Sequence, residues 1–239
     1  MTTAADHGHS HDHGHSQGHA HDHQHDHDLP QGMPQGLGPG NDDWDERYSA
    51  SEQIWSGQPN GALVAGVTHL APGRALDVGC GEGADAVWLA KAGWDVTALD
   101  VSGVALARAA RHANDAGVEV AWVHDGLVEA GLAAGSFDLV SAQYPVLART
   151  SDHRAEQVLQ DLVAPGGTLL VVHHSPADMA HAREQGWNPD EFVFPADVAA
   201  VLGEDWEVEE DATRPREVPL SGGGTHHTQD VVLRARRRT

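Results

Sequence analysis

Residues Ala75–Gly83 read ALDVGCGEG, so an acid, Asp77, precedes three glycines at alternate positions, Gly79, Gly81 and Gly83. A helical pattern, ADAVWLAKA (Ala84–Ala92), follows, and DVTALD then ends in a second acid, Asp100. Glycines let a backbone turn with positive φ and approach a ligand closely. A helix start behind such a turn aims unpaired N–H groups and a partial positive charge at whatever lies there. Strand, glycine turn, helix and a second strand tipped by a carboxylate together seat an adenosine-containing cofactor. Pyrophosphate-binding turns are usually spaced G-x-G-x-x-G/A, whereas here the third glycine comes one residue early and an acid precedes the first. An acid repels pyrophosphate and attracts a cationic amino-acid group. The favoured ligand therefore has an adenosine and a cationic end.

The elements that must position these residues alternate along the chain. Strands are predicted at Ala75–Val78, Asp95–Leu99, Val118–Val123, Phe137–Ala142 and Thr168–His173, with helices at Ala84–Ala92, Val104–Ala116 and His153–Val163 between them. Strands separated by helices imply right-handed crossovers and a parallel sheet covered on both faces. Helices are also expected near Ala177–Glu184 and Ala196–Leu202. The segments WEVEED (Trp206–Asp211) and HTQDVVLRA (His227–Ala235) have no helix between them and read as an antiparallel pair at one sheet edge. Ahead of the glycine turn, Trp44, Tyr48, Ile54 and Trp55 suggest a short lead-in helix, and GALVAGVTHLAPG (Gly61–Gly73) a longer one. The expected fold is α/β: a Rossmann-like, seven-stranded, mostly parallel sheet with an antiparallel edge strand and helices on both faces.

With these residues in place, the segment resembles motif I of the class I S-adenosylmethionine (SAM)-dependent methyltransferases, an acid followed by G-x-G-x-G. The resemblance runs from about Trp44 to Arg236 and takes in SFDLVSAQYPV (Ser136–Val146) and LVAPGGTLLVV (Leu162–Val172). It implies that Gly79, Cys80, Gly81 and Gly83 line the methionine and ribose part of SAM, with Asp77 near the α-ammonium. It implies further that Asp100 accepts from both ribose hydroxyls, that Val101 packs on the adenine, and that Asp125 accepts from the adenine amino group beside Gly126 and Leu127. Cys80 itself reads as a small core filler and not a nucleophile. In VSGVALARA, Ser102 is a better helix cap than Asp100.

Methyl transfer from a sulfonium needs an in-line nucleophile, and a base only if that nucleophile is protonated. Tyr144 and Gln143 sit at the exit of the fourth strand and His173 and His174 at the exit of the fifth, with His226 and His227 before the last. Tyr144 and His173 are the candidate catalytic residues; His226 and His227 are candidate substrate residues. Each also has a plain reading in packing or as a polar loop. SAQYPV departs from the NPPY-like motif for exocyclic amino groups, which disfavours adenine or glutamine acceptors. The lead-in WSGQPN (Trp55–Asn60) resembles the lid of the tellurite-resistance and thiopurine methyltransferase group, whose members methylate small or soft acceptors such as S, Se and Te. That resemblance has Tyr48 and Trp55 closing over cofactor or substrate.

Composition narrows the partners. The chain has 36 acidic against 14 basic residues, a formal net charge of −22. Such a field repels nucleic-acid backbones and anionic lipid. A single cysteine and the lack of a long apolar run point to a soluble cytoplasmic protein without a membrane span. Residues 1–40 read as a disordered tail and Pro/Gly linker ahead of a domain spanning 41–239. The tail carries His7, His9, His11, His13, His15, His19, His21, His23, His25 and His27. Imidazoles spaced by two in a pliable chain can converge on Ni²⁺, Zn²⁺, Co²⁺ or Cu²⁺; an inert solubilising tail is the other reading. Two further functions stay open beside methyl transfer to a small molecule. One is a metal-handling protein whose methyltransferase-like domain only binds a ligand, and the other is a nucleotide-dependent oxidoreductase.

Overall fold

The computed structural model describes residues 41–177, 188–216 and 228–239. The chain runs α1 (Asn41–Ser49), α2 (Gly61–Val67), β1 (Arg74–Val78), α3 (Ala84–Lys91), β2 (Asp95–Asp100), α4 (Gly103–Ala116) and β3 (Ala121–His124). It continues through β4 (Phe137–Gln143), α5 (Arg154–Leu162), β5 (Val163–His174), a 3₁₀ turn (Pro189–Glu191), α6 (Pro195–Ala200), β6 (Trp206–Pro215) and β7 (Gln229–Arg237). The seven strands form one sheet in the order β3-β2-β1-β4-β5-β7-β6. β1 to β5 are mutually parallel, and β7 runs against both β5 and β6. The chain leaves β1 in one direction toward β3 and returns to start β4 on its other side. That reversal opens a crevice at the carboxyl ends of β1 and β4, where open α/β sheets bind ligands.

Strand alternation divides the core into two layers. Leu76, Val78, Leu169, Val171 and Leu233 face Leu159 of α5 and Val198 of α6. Ala75, Leu139, Leu170, Val172 and Val232 face Leu63 of α2 and Leu89 of α3. At an outer corner, Trp44 and Tyr48 of α1 pack on Ala105 of α4. The start of α4 is fixed as expected, with Ser102 Oγ accepting from the Ala105 amide.

Several boundaries depart from the sequence pattern, each for a local reason. The lead-in helix ends at Ser49, and Ile54 and Trp55 are not helical because their amides donate to Glu82. α2 stops at Val67 and not near Gly73, as Leu70 N–H turns back to the Val67 carbonyl. β3 begins at Ala121 and not Val118, because the Val118 amide closes the end of α4 on Ala113 O behind left-handed Gly117. β5 starts at Val163, directly at the end of α5. All but the first residue of the helix expected near Ala177–Glu184, the His-rich tail, and His226 and His227 lie outside the described residues.

Packing by itself requires a glycine at position 83, apart from any contact with a cofactor. Its φ is +83°, and a Cβ there would lie 2.6 Å from Ala109 Cβ and 3.2 Å from the Trp122 ring. The third glycine lets α3 begin hard against α4. Gly83→Ala is expected to lower stability by about 2–4 kcal/mol through combined backbone strain and overpacking. Urea unfolding measures it, and a loss below about 1 kcal/mol would contradict the packing account.

Candidate active site

The glycine turn hangs from the end of β2. Gly79 and Cys80 both donate their amides to Leu99 O, at 2.8 and 3.0 Å. Gly81 N–H donates to Asp100 Oδ2 at 2.8 Å, and Ser102 N–H to Asp100 Oδ1 at 2.9 Å. Each carboxylate oxygen of Asp100 keeps a further lone pair, the capacity a diol requires. Gly79 has φ +69°, and a Cβ there would meet nothing within 4 Å. The turn is therefore open to a ligand at Gly79 and closed by protein at Gly83.

Three buried acids surround that opening: Asp77, Asp85 and Asp100. Burial, and after it the charges of Asp85 and Asp100, push the Asp77 carboxyl well above the ordinary carboxylate range. Its Oδ2 is buried and makes no hydrogen bond. Burial lifts Asp85 to about 6, against the pull of two hydrogen bonds from Asn60 N and Nδ2, both 2.7 Å. Burial also raises Asp100, and it raises the Cys80 thiol with help from Asp77, so Cys80 stays protonated and is no nucleophile. Crowded, desolvated carboxyls of one sign favour a cationic ligand. The donor set fits a cofactor that carries an ammonium, a sulfonium and a ribose diol.

Sequence reasoning missed the latch that holds the lead-in segment here. Glu82, 3% exposed at its side chain, pairs with Arg108 Nη1 at 2.8 Å. Glu82 also accepts from the Ile54 and Trp55 amides, while Arg108 Nη2 donates to the carbonyls of Tyr48 and Ser51. Tyr48 and Trp55 are thereby drawn over Gly81 and joined to each other, Trp55 Nε1 donating to Tyr48 Oη at 3.0 Å. A Cβ at Gly81 would lie 2.8 Å from Tyr48 Oη and 3.3 Å from Trp55 Nε1. Tyr48 is buried and Trp55 is 47% exposed. The signal available in the sequence was Glu82 itself, a charge inside a glycine turn, in a chain with few arginines to answer it.

At the end of β3, where the sequence suggests an adenine site, Asp125 N–H donates to Asp100 O at 3.2 Å, joining the ends of β2 and β3. Asp125 Oδ1 accepts from Gly126 N–H at 2.8 Å. Val101 packs in the corner with Trp44 and Tyr48. The Leu127 side chain is buried in the α5-side core, so only its backbone can border a ligand.

On the acceptor side the two catalytic candidates meet only edge-on, ring centres 6.5 Å apart, and have different closest neighbours. His173 packs against Phe194, ring centres 4.1 Å apart, toward α6. His174 points to the opposite face and stacks on Tyr144 at 4.3 Å. Tyr144 has φ +52°, a left-handed conformation that costs a non-glycine residue about 1–3 kcal/mol. Its Oη donates to Asp230 Oδ1 at 2.9 Å, and the Arg216 guanidinium lies 5.0 Å over its ring. Burial raises the Tyr144 phenol, and Asp230 and Asp85 add to that. Gln143 Nε2 donates to Ser141 Oγ, beside Asp77 in the β1–β4 register. Among the described residues, no group of His, Cys, Asp and Glu is arranged to hold a metal ion. No described helix is long and apolar enough to cross a membrane.

Comparisons with known proteins agree with this geometry. Residues 75–167 match the methyltransferase-domain family. An uncharacterized methyltransferase of Mycobacterium tuberculosis is 37% identical over 112 residues, 46% of this chain and 55% of that protein. The chain thus spans about half the length of that curated relative. A structure solved for the conversion of a disulfide bond into a thioacetal group during echinomycin biosynthesis is similar with a TM-score of 0.65 and 22% identity, over 83% of this chain and 92% of that one. The N-methyltransferase NodS from Bradyrhizobium japonicum, in complex with S-adenosyl-L-homocysteine, is similar with a TM-score of 0.61 and 21% identity, over 81% of this chain and 96% of that one. At these identities the solved structures share the fold.

Two outcomes are expected. Removing one partner of the buried latch, as in Arg108→Met, should cost about 3–5 kcal/mol in urea unfolding and expose the 50–60 segment to protease. An unchanged cleavage pattern would refute the latch. Asp85, raised in the folded state, gives stability that is full below the ordinary carboxylate range and lost as pH climbs through about 6. Asp85→Asn should flatten the fall in unfolding free energy between about pH 4 and pH 6; an unaltered slope would show that Asp85 is not the group titrating.

Proposed function

We propose, on the premise that residues 75–167 belong to the class I SAM-dependent methyltransferase family, that this chain transfers a methyl group from SAM to a small-molecule acceptor. The observation that carries the reading is the trio of buried acids around an open glycine turn, with Asp77 Oδ2 left without a partner. When bound, SAM supplies an electrophilic methyl on a sulfonium. In this reading Asp77 and Asp85 balance its positive charges and Asp100 accepts from the ribose hydroxyls. Asp125, Gly126 and Val101 border the adenine, and Tyr48 and Trp55, latched through Glu82, exclude water. Placement supplies most of the rate in such a transfer.

The chain's charge of −22 disfavours nucleic acid as the acceptor. We read the acceptor as a soft nucleophile of the sulfur, selenium or tellurium type, or a metalloid species. Support comes from the WSGQPN lead-in and from the structural likeness to a protein of thioacetal formation. The His-rich tail is proposed to bind a divalent transition metal such as Ni²⁺ or Zn²⁺, apart from the methyl-transfer chemistry. Deleting residues 1–40 should abolish nickel retention and leave methyl transfer intact.

Calorimetry with SAM, S-adenosylhomocysteine and NAD tests the cofactor. SAM and S-adenosylhomocysteine should bind and NAD should not; the reverse result would favour an oxidoreductase. Asp100→Ala should weaken SAM by about tenfold or more, since a charged acceptor contributes roughly 1.5–3 kcal/mol per hydrogen bond. Undiminished affinity would remove Asp100 from the ribose site.

A further inference from the structure

Tyr144 is held by more than its place after β4 requires. Its backbone is left-handed, and its amide donates to Val172 O at 2.8 Å. Its ring lies between His174, stacked at 4.3 Å, and the Arg216 guanidinium at 5.0 Å. Its hydroxyl donates to Asp230, an acid 2% exposed at the start of β7, 86 residues away in sequence. Three strands and the end of a fourth thus converge on one phenol. Asp230 pairs with His174 across β5 and β7, and Asp77, Gln143 and His174 line the same sheet face. Asp85, at the start of α3, adds its negative charge to the field at the phenol. His173 meets the ring edge-on from the other face.

A phenol whose proton is committed to a carboxylate presents its remaining lone pairs outward, as an acceptor. The geometry points to Tyr144 and Asp230 as a proton-accepting pair for the methyl acceptor, with Tyr144 the catalytic residue and Asp230 acting through it. This rests on the methyl-transfer reading and deepens it, because the acceptor must then be one that arrives protonated, such as a neutral thiol or selenol. The acceptor's proton passes to Tyr144 Oη as the phenolic proton passes to Asp230 Oδ1. The electron pair freed on the acceptor forms the new bond to the methyl carbon, and the pair of the broken carbon–sulfur bond returns to sulfur. Arg216 over the ring favours negative charge developing on the phenol oxygen. Asp230, left as the neutral acid, returns its proton to solvent once product leaves.

Two readouts test the pair. The chain has two tyrosines, so ¹³C labelling at the hydroxyl-bearing ring carbon gives two NMR resonances, assigned with Tyr144→Phe. Asp230→Asn should move the Tyr144 resonance and leave that of Tyr48 in place; an unmoved Tyr144 resonance overturns the pair whatever the acceptor is. For transfer, 2-mercaptoethanol arrives as a thiol at neutral pH, whereas 4-nitrothiophenol arrives as a thiolate. Asp230→Asn and Tyr144→Phe should each slow the first by on the order of 100-fold and the second by less than about threefold. Equal losses on both thiols would reduce the pair to a structural role. SAM affinity measured on the same variants should be unchanged. A wild-type chain that binds no SAM would sink the methyl-transfer reading itself, whereas SAM binding with equal losses sinks only the proton-accepting pair.

Discussion

Gly81 gives its amide to Asp100, and the turn, the second strand and the lid are assembled around that hydrogen bond. The bond draws the carboxylate at the end of β2 under the turn that ends β1, while Ser102 N–H fixes its other oxygen. Ser102 in turn caps α4, so the same few atoms place the Asp100 carboxylate and start the next helix. Because Gly81 lacks a side chain, Tyr48 and Trp55 can descend onto it, and the neighbouring Glu82 holds them there. A side chain at this position would displace the lid.

The cost of this design is electrostatic. Asp77, Asp85 and Asp100 are buried together, and desolvation raises all three. A hydrophobic site would make a more stable ligand-free protein. The acids make sense as one half of a charge pair whose other half is the ligand. The latch uses the opposite arrangement, since the charge of Glu82 is answered by a cation of the protein itself, Arg108. One group of carboxylates waits for a cation and the other already has one.

The two sides of the crevice also differ in how they are built. The cofactor side comes from neighbours in sequence, residues 77–85 and 100–126, on consecutive strands and turns. The acceptor side is assembled from afar, with Tyr144 from the end of β4, His174 from β5, Arg216 beyond β6 and Asp230 from β7. Reversing β7 between β5 and β6 brings the start of that strand to the carboxyl end of the sheet. The antiparallel pair is therefore what delivers an acid to the phenol.

Hydrophobic period, glycine spacing and caps are local properties, so the strand–turn–helix order, the parallel sheet and the glycine turn are legible from the residues alone. Cap chemistry identified Ser102 as the start of α4, and the acid before the turn singled out a cationic ligand. The lead-in helix ends earlier than its pattern suggests because the deciding hydrogen bond comes from a distant residue, Glu82 to the Trp55 amide, whereas α2 and β3 are bounded by local turns. Folding was needed to show that Gly83 packs on α4, that His173 lies closest to Phe194, and that Tyr144 meets Asp230. Adjacent strand residues point to opposite faces, and which face holds the site is set by how strands far apart in sequence are paired. That pairing belongs to the folded chain and leaves no local mark.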